Sequence, residues 1–315
     1  MHVTVAVCTW NRAALLDMTL TRMRDLVLPA GTTWELLVVN NNCTDDTDAV
    51  LARHAAALPL RRLWEPKPGH SNARNCAVEE ARGDLLVWTD DDVLVEPDWL
   101  AEYARAAARF PDAAYFGGTV EPWFAVEPPG WVKRNLQALE GPFALRQLGP
   151  EVRPFAGREA PFGANMAFRT SAARGFRFNP NIGRIGTGMM SGDETELIER
   201  LRATTGPGVW VGPAKVKHYL PAERMTPGYV WKFFHGLGRT DQRVKPVAAG
   251  TPSLRGMPRW AIRKYAVARA KSLLFSFIDS RRWLENFVTA ATVRGLLDEC
   301  RAERAVGLRL PQGNR

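Results

Sequence analysis

Three consecutive aspartates, Asp90-Asp91-Asp92, directly follow the apolar run Leu85-Leu86-Val87-Trp88-Thr89. Along an extended chain Asp90 and Asp92 point to one side and Asp91 to the other. Carboxylates crowded at a buried strand end repel one another unless something positive neutralises them. A divalent cation does this, and Mg²⁺ characteristically takes one or two protein carboxylates together with phosphate oxygens. The competing reading is a solvated acidic turn that caps a helix starting near Pro97. The buried strand ahead of the triplet favours the cation. Two more polar clusters, Thr9–Arg12 and Asn40–Asp46, follow apolar runs in the same manner. An acidic pair, Asp193-Glu194, precedes Leu197 and Arg200, and on spacing alone it reads as a helix N-terminus favoured by the helix dipole. His218 lies beyond Val209-Trp210-Val211 and Lys215-Val216-Lys217. A lone histidine is more often structural than a ligand.

The elements that must position these residues alternate between strand and helix. Val3–Cys8 reads as a buried strand, and Ala13–Met23 follows with apolar residues at helical spacing. Glu35–Val39 is the next strand, and the polar turn Asn40–Asp46 leads into a helix through His54. Leu60–Trp64 is a third strand, Pro66–His70 a turn, and Ser71 a cap for a helix ending near Arg82-Gly83. Leu85–Thr89 is a fourth. Such alternation implies a parallel sheet with right-handed crossovers, whose ligands sit at the carboxyl ends of the strands. The three polar clusters fall there.

Residues 119–222 are rich in Pro, Gly and aromatics and read as irregular, pocket-shaping loops. Trp123, Phe124, Trp131 and Phe143 are assigned to packing rather than catalysis. From 223 onward the pattern is helical, with Ile262, Ala266, Ala270, Leu273 and Phe277 on one helix face and Lys264 and Lys271 opposite.

The 315 residues suffice for one large α/β domain with an appendage. Four dispersed cysteines, Cys8, Cys43, Cys76 and Cys300, make no C-x-x-C pair, which argues against zinc or disulfides and suits a reducing compartment. No secretory signal or membrane span is expected. Charge is segregated: residues 223–315 carry 18 Lys+Arg against 7 Asp+Glu, a balance of +11, whereas residues 1–222 carry 24 against 26, a balance of −2. An anionic membrane or nucleic acid would explain the basic segment. It has no zinc-finger or other recognition pattern, so a nucleic-acid partner is not expected.

Val5–Arg12, Glu35–Asn42, Ala73-Arg74-Asn75 and Trp88–Asp92 together resemble the family 2 glycosyltransferases of GT-A fold. Pro161–Arg169 and Gly192–Leu197 extend the resemblance, which covers about residues 3–220 in the family's order. It implies a Rossmann-like, mostly parallel sheet with a C-terminal helical extension. The implied division is a catalytic domain over 1–222, with 1–118 binding nucleotide and 119–222 the acceptor, followed by a basic helical extension over 223–315.

The resemblance also implies roles. Thr9, Asn11 and Arg12 would line the nucleotide pocket, Asn41 would meet the base, and Arg74 would lie near base or phosphates. Asn40 and Asn41 stand where the family commonly has aspartates, and an amide can still pair with a pyrimidine edge. Asp90 would hold ribose or help the metal, Asp91 would lie with the donor, and Asp92 and His218 would hold a divalent metal, Mn²⁺ or Mg²⁺. His70 would be a loop residue near the nucleotide. Gly163-Ala164-Asn165 would let backbone approach the donor sugar. Glu194 is the expected catalytic base, with Asp193 a rival because the family's usual order is inverted here. The activity implied is inverting transfer from a nucleotide-diphosphate sugar, UDP-linked by preference, to a glycan, lipid-linked or small-molecule acceptor. The expected setting is cytoplasmic, including peripheral attachment to the inner membrane face, with oligomers open. A nucleotidyltransferase or sugar-phosphate pyrophosphorylase is the rival enzyme, but Thr9-Trp10-Asn11-Arg12 lacks the glycines of its phosphate loop.

Overall fold

The computed structural model describes residues 1–307 except 187, 189–191 and 249. In chain order it begins β1 (His2–Thr9), α1 (Ala13–Met23), β2 (Thr33–Asn40), α2 (Thr47–His54), β3 (Leu60–Trp64), α3 (His70–Glu80) and β4 (Leu85–Asp90). There follow β5 (Val93–Val95), α4 (Trp99–Arg109), β6 (Tyr115–Phe124) and two short helices, α5 (Gly130–Arg134) and α6 (Glu140–Phe143). Next come β7 (Val152–Pro154), β8 (Met166–Arg169), α7 (Thr170–Arg174), α8 (Asp193–Thr205) and β9 (Val209–Leu220). The chain ends with α9 (Pro227–Val244), a hairpin of β10 (Ser253–Leu254) and β11 (Met257–Pro258), α10 (Arg259–Phe275) and α11 (Ser280–Gly307). These elements form two compact units. One holds Met1–Ala125, Phe143–Asn181 and Asp193–Leu220; the other holds Val126–Pro142, Ile182–Gly192 and the chain from Pro221 onward.

The first unit is a sheet covered on both faces. Val3, Val5 and Val7 of β1 face a cluster with Leu16 and Leu20 of α1 and Trp99 of α4. Ala6 faces the opposite cluster, with Ala73 and Ala77 of α3 and Leu197 and Leu201 of α8. Burial on both sides is why these strands read as continuous apolar runs rather than alternating ones. The strand order is β3-β2-β1-β4-β8-β6-β9-β5, with β7 on β9. The first four strands run parallel. Thr9 pairs with Asn40, Asn40 with Trp64, and Cys8 with Asp90, so the polar ends of these strands lie side by side. Beyond β4 the sheet is mixed: β8 is antiparallel to both β4 and β6.

The stretch expected to be irregular contributes β7, β8, β9, α8 and the second half of β6. Local pattern hid these strands because β6 and β9 shift register between Gly118 and Thr119. The acidic triplet likewise leads not straight into a helix but through β5, with α4 starting at Trp99. β5 then pairs antiparallel with β9, setting Val93 opposite His218.

In the second unit α9 crosses α11 at two glycines. A side chain on Gly238 would strike the Thr292 carbonyl, and one on Gly295 the His235 carbonyl. Arg239 and Arg243 both donate to Glu299, at 2.7 and 2.6 Å, across the same crossing. α10 packs on α11 through Ala261 against Val293 and Leu297. Of the face of α10 expected to be its apolar side only Ile262 packs inward; Ala266, Ala270 and Leu273 are exposed, as is Phe277 just beyond the helix, and Ala261, Ala268 and Ser272 are buried. Among the described residues no helix is long and apolar enough to cross a membrane.

Candidate active site

The carboxyl ends of β1 and β4 and the return of β9 make one corner of the first unit. Asp90, Asp92 and His218 each place a ligand atom there, all within 4.8 Å of one another. Asp92 and His218 are almost wholly buried. His218 Nδ1 lies 2.8 Å from the Phe143 carbonyl, which only accepts, so Nδ1 carries the proton. In the neutral ring that leaves the Nε2 lone pair facing Asp92 Oδ1, 3.3 Å away. A second-sphere carbonyl that sets the tautomer is the usual support of a metal-bound histidine. Two carboxylates and an imidazole fit a divalent first-row cation, Mn²⁺ more naturally than all-oxygen Mg²⁺.

Asp91 turns elsewhere. It accepts from Thr9 Oγ1 at 2.8 Å and from Arg12 Nη1 at 3.0 Å. The same Arg12 nitrogen donates to Asp92 Oδ2 at 3.0 Å. Burial pushes the Asp91 carboxyl up to about 6, against the lowering pull of Arg12. The triplet is therefore no solvated turn. Thr9, Arg12 and Asp91 hold the corner together from behind.

A second cluster is built around Arg74 on α3, which is 2 % exposed. Its Nη1 donates to Asp193 Oδ2 at 2.9 Å and to Glu194 Oε2 at 3.4 Å, across 119 and 120 residues of sequence. The guanidinium lies over the rings of Phe178 at 5.2 Å and Trp88 at 6.0 Å. Burial lowers its proton affinity, but the charges of Asp193, Glu194 and Asp90 outweigh that and raise it. The field of Asp90 at Arg74 ties this cluster to the metal corner. Arg74 thus pairs with protein carboxylates, where nucleotide base or phosphates were expected.

Asp193 and Glu194 open α8, whose N-terminus favours acids. They differ in access. Asp193 is buried, with Ser71 Oγ 3.5 Å from the same oxygen that meets Arg74. The Glu194 side chain keeps 19 % exposure. Burial first, and then the charge of Asp193, push the Glu194 carboxyl above the ordinary glutamate range, with Arg74 opposing. Gly163 is buried directly beside Arg74, and a side chain there would collide with the guanidinium Nη2. Its small size makes room for Arg74.

Four residues expected to contact the donor make structural hydrogen bonds. Asn41 Nδ2 donates to the Glu65 and Lys67 carbonyls at 2.9 and 2.8 Å, and its Oδ1 accepts from Gly69 N at 2.9 Å. Both amide hydrogens thus bond to the loop ahead of α3. Asn165 is fully buried and saturated: Oδ1 accepts from Trp99 Nε1 and Tyr103 Oη, and Nδ2 donates to the Thr119 and Ala214 carbonyls. The Ala164 carbonyl accepts from Thr89 Oγ1 at 2.9 Å. Asn11, at φ 53, accepts from Thr44 N at 2.7 Å and bridges the β1 and β2 ends. Ser71 does not cap α3; that position is Gly69, at φ 129, and His70 is the first helical residue. Sequence reasoning gave no role to Ser71 toward Asp193 or to Phe178 under Arg74. Trp10, 40 % exposed beside Thr9, was also left without one. Only Trp10 leaves a signal, an indole inside an otherwise polar turn.

A two-faced α/β sheet with a carboxylate–histidine corner at its strand ends defines a nucleotide-sugar-type transferase fold rather than a phosphate-loop enzyme. The profile of glycosyl transferase family 2 matches residues 4–181, more than half of the chain, and the protein belongs to that family. It is a glycosyltransferase of GT-A fold. The succinoglycan biosynthesis protein ExoM of Rhizobium meliloti (strain 1021) is 25% identical over 261 residues, 78% of this chain and 75% of that protein. The mannosyltransferase PcManGT from Pyrobaculum calidifontis, solved with GDP-Man and Mn²⁺, is similar at a TM-score of 0.57 and 19% identity, over 94% of this chain and 87% of that one. Residues 1–349 of S. aureus TarS with UDP-GlcNAc give a TM-score of 0.54 at 13% identity, over 98% and 92%. At these identities the solved structures speak for the fold.

Proposed function

We propose that the protein transfers a sugar, with inversion, from a nucleotide-diphosphate sugar to an acceptor hydroxyl, with a divalent cation and a carboxylate base. The observation that carries this is the gathering of Asp90, Asp92 and His218 within 4.8 Å beside a carboxylate pair ordered by buried Arg74. Asp90, Asp92 and His218 would hold Mn²⁺ or Mg²⁺, which supplies a Lewis acid for charge developing on the leaving diphosphate. Arg12 keeps Asp91 and Asp92 from repelling each other and fixes where the Asp92 oxygens point. Glu194, the accessible member of its pair, takes the acceptor proton. A raised affinity for protons suits a base that must accept one at the moment of attack. Asp193, clasped by Arg74 and Ser71, holds the guanidinium in place. The donor is taken first as UDP-linked, in line with the complex of TarS; the GDP-Man of PcManGT makes guanosine the second arm of a test. The acceptor class is a glycan, a lipid-linked glycan or a small molecule, met at the cytoplasmic face of a membrane.

The test is a thermal-shift screen of UDP- and GDP-sugars with and without Mn²⁺. A donor bound only by the folded state at 100 times its Kd adds about 2.7 kcal/mol of apparent stability. Stabilisation that needs both donor and metal, and that Asp92→Ala removes while the fold is kept, is the expected result. If no nucleotide sugar stabilises the wild type with any divalent cation, or Asp92→Ala turns over normally, the reading fails.

A further inference from the structure

We infer that the outward face of α10 and the turn after it form a docking surface for an anionic lipid bilayer. The helix packs the opposite way from a helix built only for a protein core. It buries the small residues Ala261, Ala268 and Ser272 and leaves Leu274 62 %, Ile278 73 % and Phe277 99 % exposed. Leu273 and Val267 are exposed beside them. Single exposed apolar residues are ordinary, but a contiguous patch on one helix face marks an interaction site.

Charge identifies the occupant. Residues 259–282 carry seven Lys+Arg and one acid, Asp279. At 100° per residue, Lys264 and Lys271 fall on one border of the strip of α10 that carries Val267 and Leu274, and Phe277 and Ile278 follow in the turn after it. Lysines so placed lay their stems along the apolar face and lift their ammonium groups to the headgroup level. A second copy of the chain is a poor fit. A two-fold contact would set this basic rim against itself, with Asp279 the sole acid and already 3.7 Å from Arg282. Since no described helix is long and apolar enough to span, the patch lies in the plane of the interface. The inference stands on this surface alone and holds whichever donor the transfer site takes.

Sedimentation of the full chain with vesicles tests it without reference to activity. Vesicles of phosphatidylcholine with phosphatidylglycerol are expected to pellet the protein, and phosphatidylcholine alone is not. Phe277→Glu with Ile278→Glu, and separately Lys264→Glu with Lys271→Glu, should each weaken vesicle affinity by roughly tenfold or more. Both variants alter exposed positions, so thermal midpoint and circular dichroism should match the wild type. No binding by the wild type, or undiminished binding by either variant, overturns the proposal. A wild-type dimer that becomes monomeric in the Phe277→Glu, Ile278→Glu variant would assign the face to a second copy instead.

Discussion

Arg74 is where the electrostatics of the site are most concentrated. It is one buried cation facing Asp193 and Glu194, and also within the field of Asp90. Removing one partner of a buried pair leaves the other charge uncompensated, at a cost of about 3–5 kcal/mol. Arg74→Met should therefore lower stability on that order, read as a shift of the denaturation midpoint at unchanged slope. A purely architectural role would end there. Arg74 also holds the Glu194 proton affinity down, so the acid limb of kcat should move to higher pH in the variant. An unmoved limb would mean that Glu194 is not the base. The linkage has a definite sign. Glu194 has a folded-state pKa raised above its ordinary value of 4.5. Its contribution to stability is full below that value and is lost as pH rises through the raised one. Glu194→Gln should lose less stability than the wild type across that window, besides suppressing kcat with donor binding kept. If Asp193→Asn damages turnover more than Glu194→Gln, the two residues exchange roles.

At the scale of elements, the first four strands were legible; the later strands and the amides were not. β1, β2 and β4 each announce themselves as an apolar run stopping at a polar cluster, and the topology then places those stops at one edge. What Asn41 and Asn165 do could not be read that way. Their partners lie 24 to 66 residues off, on loops and strands that only folding brings near. Arg74 is the same problem at greater range, with counter-ions near residue 193. For α10, spacing found the apolar stripe but gave no direction to it. Periodicity locates a face, and only the packing partners decide whether that face is the inner one. The α9–α11 crossing depends on a different property, the absence of side chains at Gly238 and Gly295. Gly238→Val would drive a branched side chain into the Thr292 carbonyl and force the helices apart. A loss of about 1–3 kcal/mol or more is expected, seen as a lowered midpoint. An exposed α9 change, Lys232→Ala, should leave the midpoint nearly unmoved. Equal behaviour of the two variants would show that the crossing is looser than described.

For the whole molecule the distribution of charge matters more than its sum of +9. The whole of the excess sits in residues 223–315, at +11, while the remainder is close to neutral at −2. Salt should then separate two kinds of binding in one protein. Charges on α10 act through solvent, where the Debye length is about 8 Å at physiological ionic strength and about 3 Å at 1 M. Asp92 and His218 are buried, and the hold on a cation proposed for them would be screened far less. Between 0.05 and 0.5 M NaCl, vesicle affinity should fall by at least about tenfold. The metal-dependent thermal shift given by the donor should change by no more than a degree or two over the same range. Measuring both on one preparation distinguishes the two surfaces. Parallel decline would mean that donor and lipid draw on the same exposed charges, and the division of labour between the basic helices and the carboxylate corner would not hold.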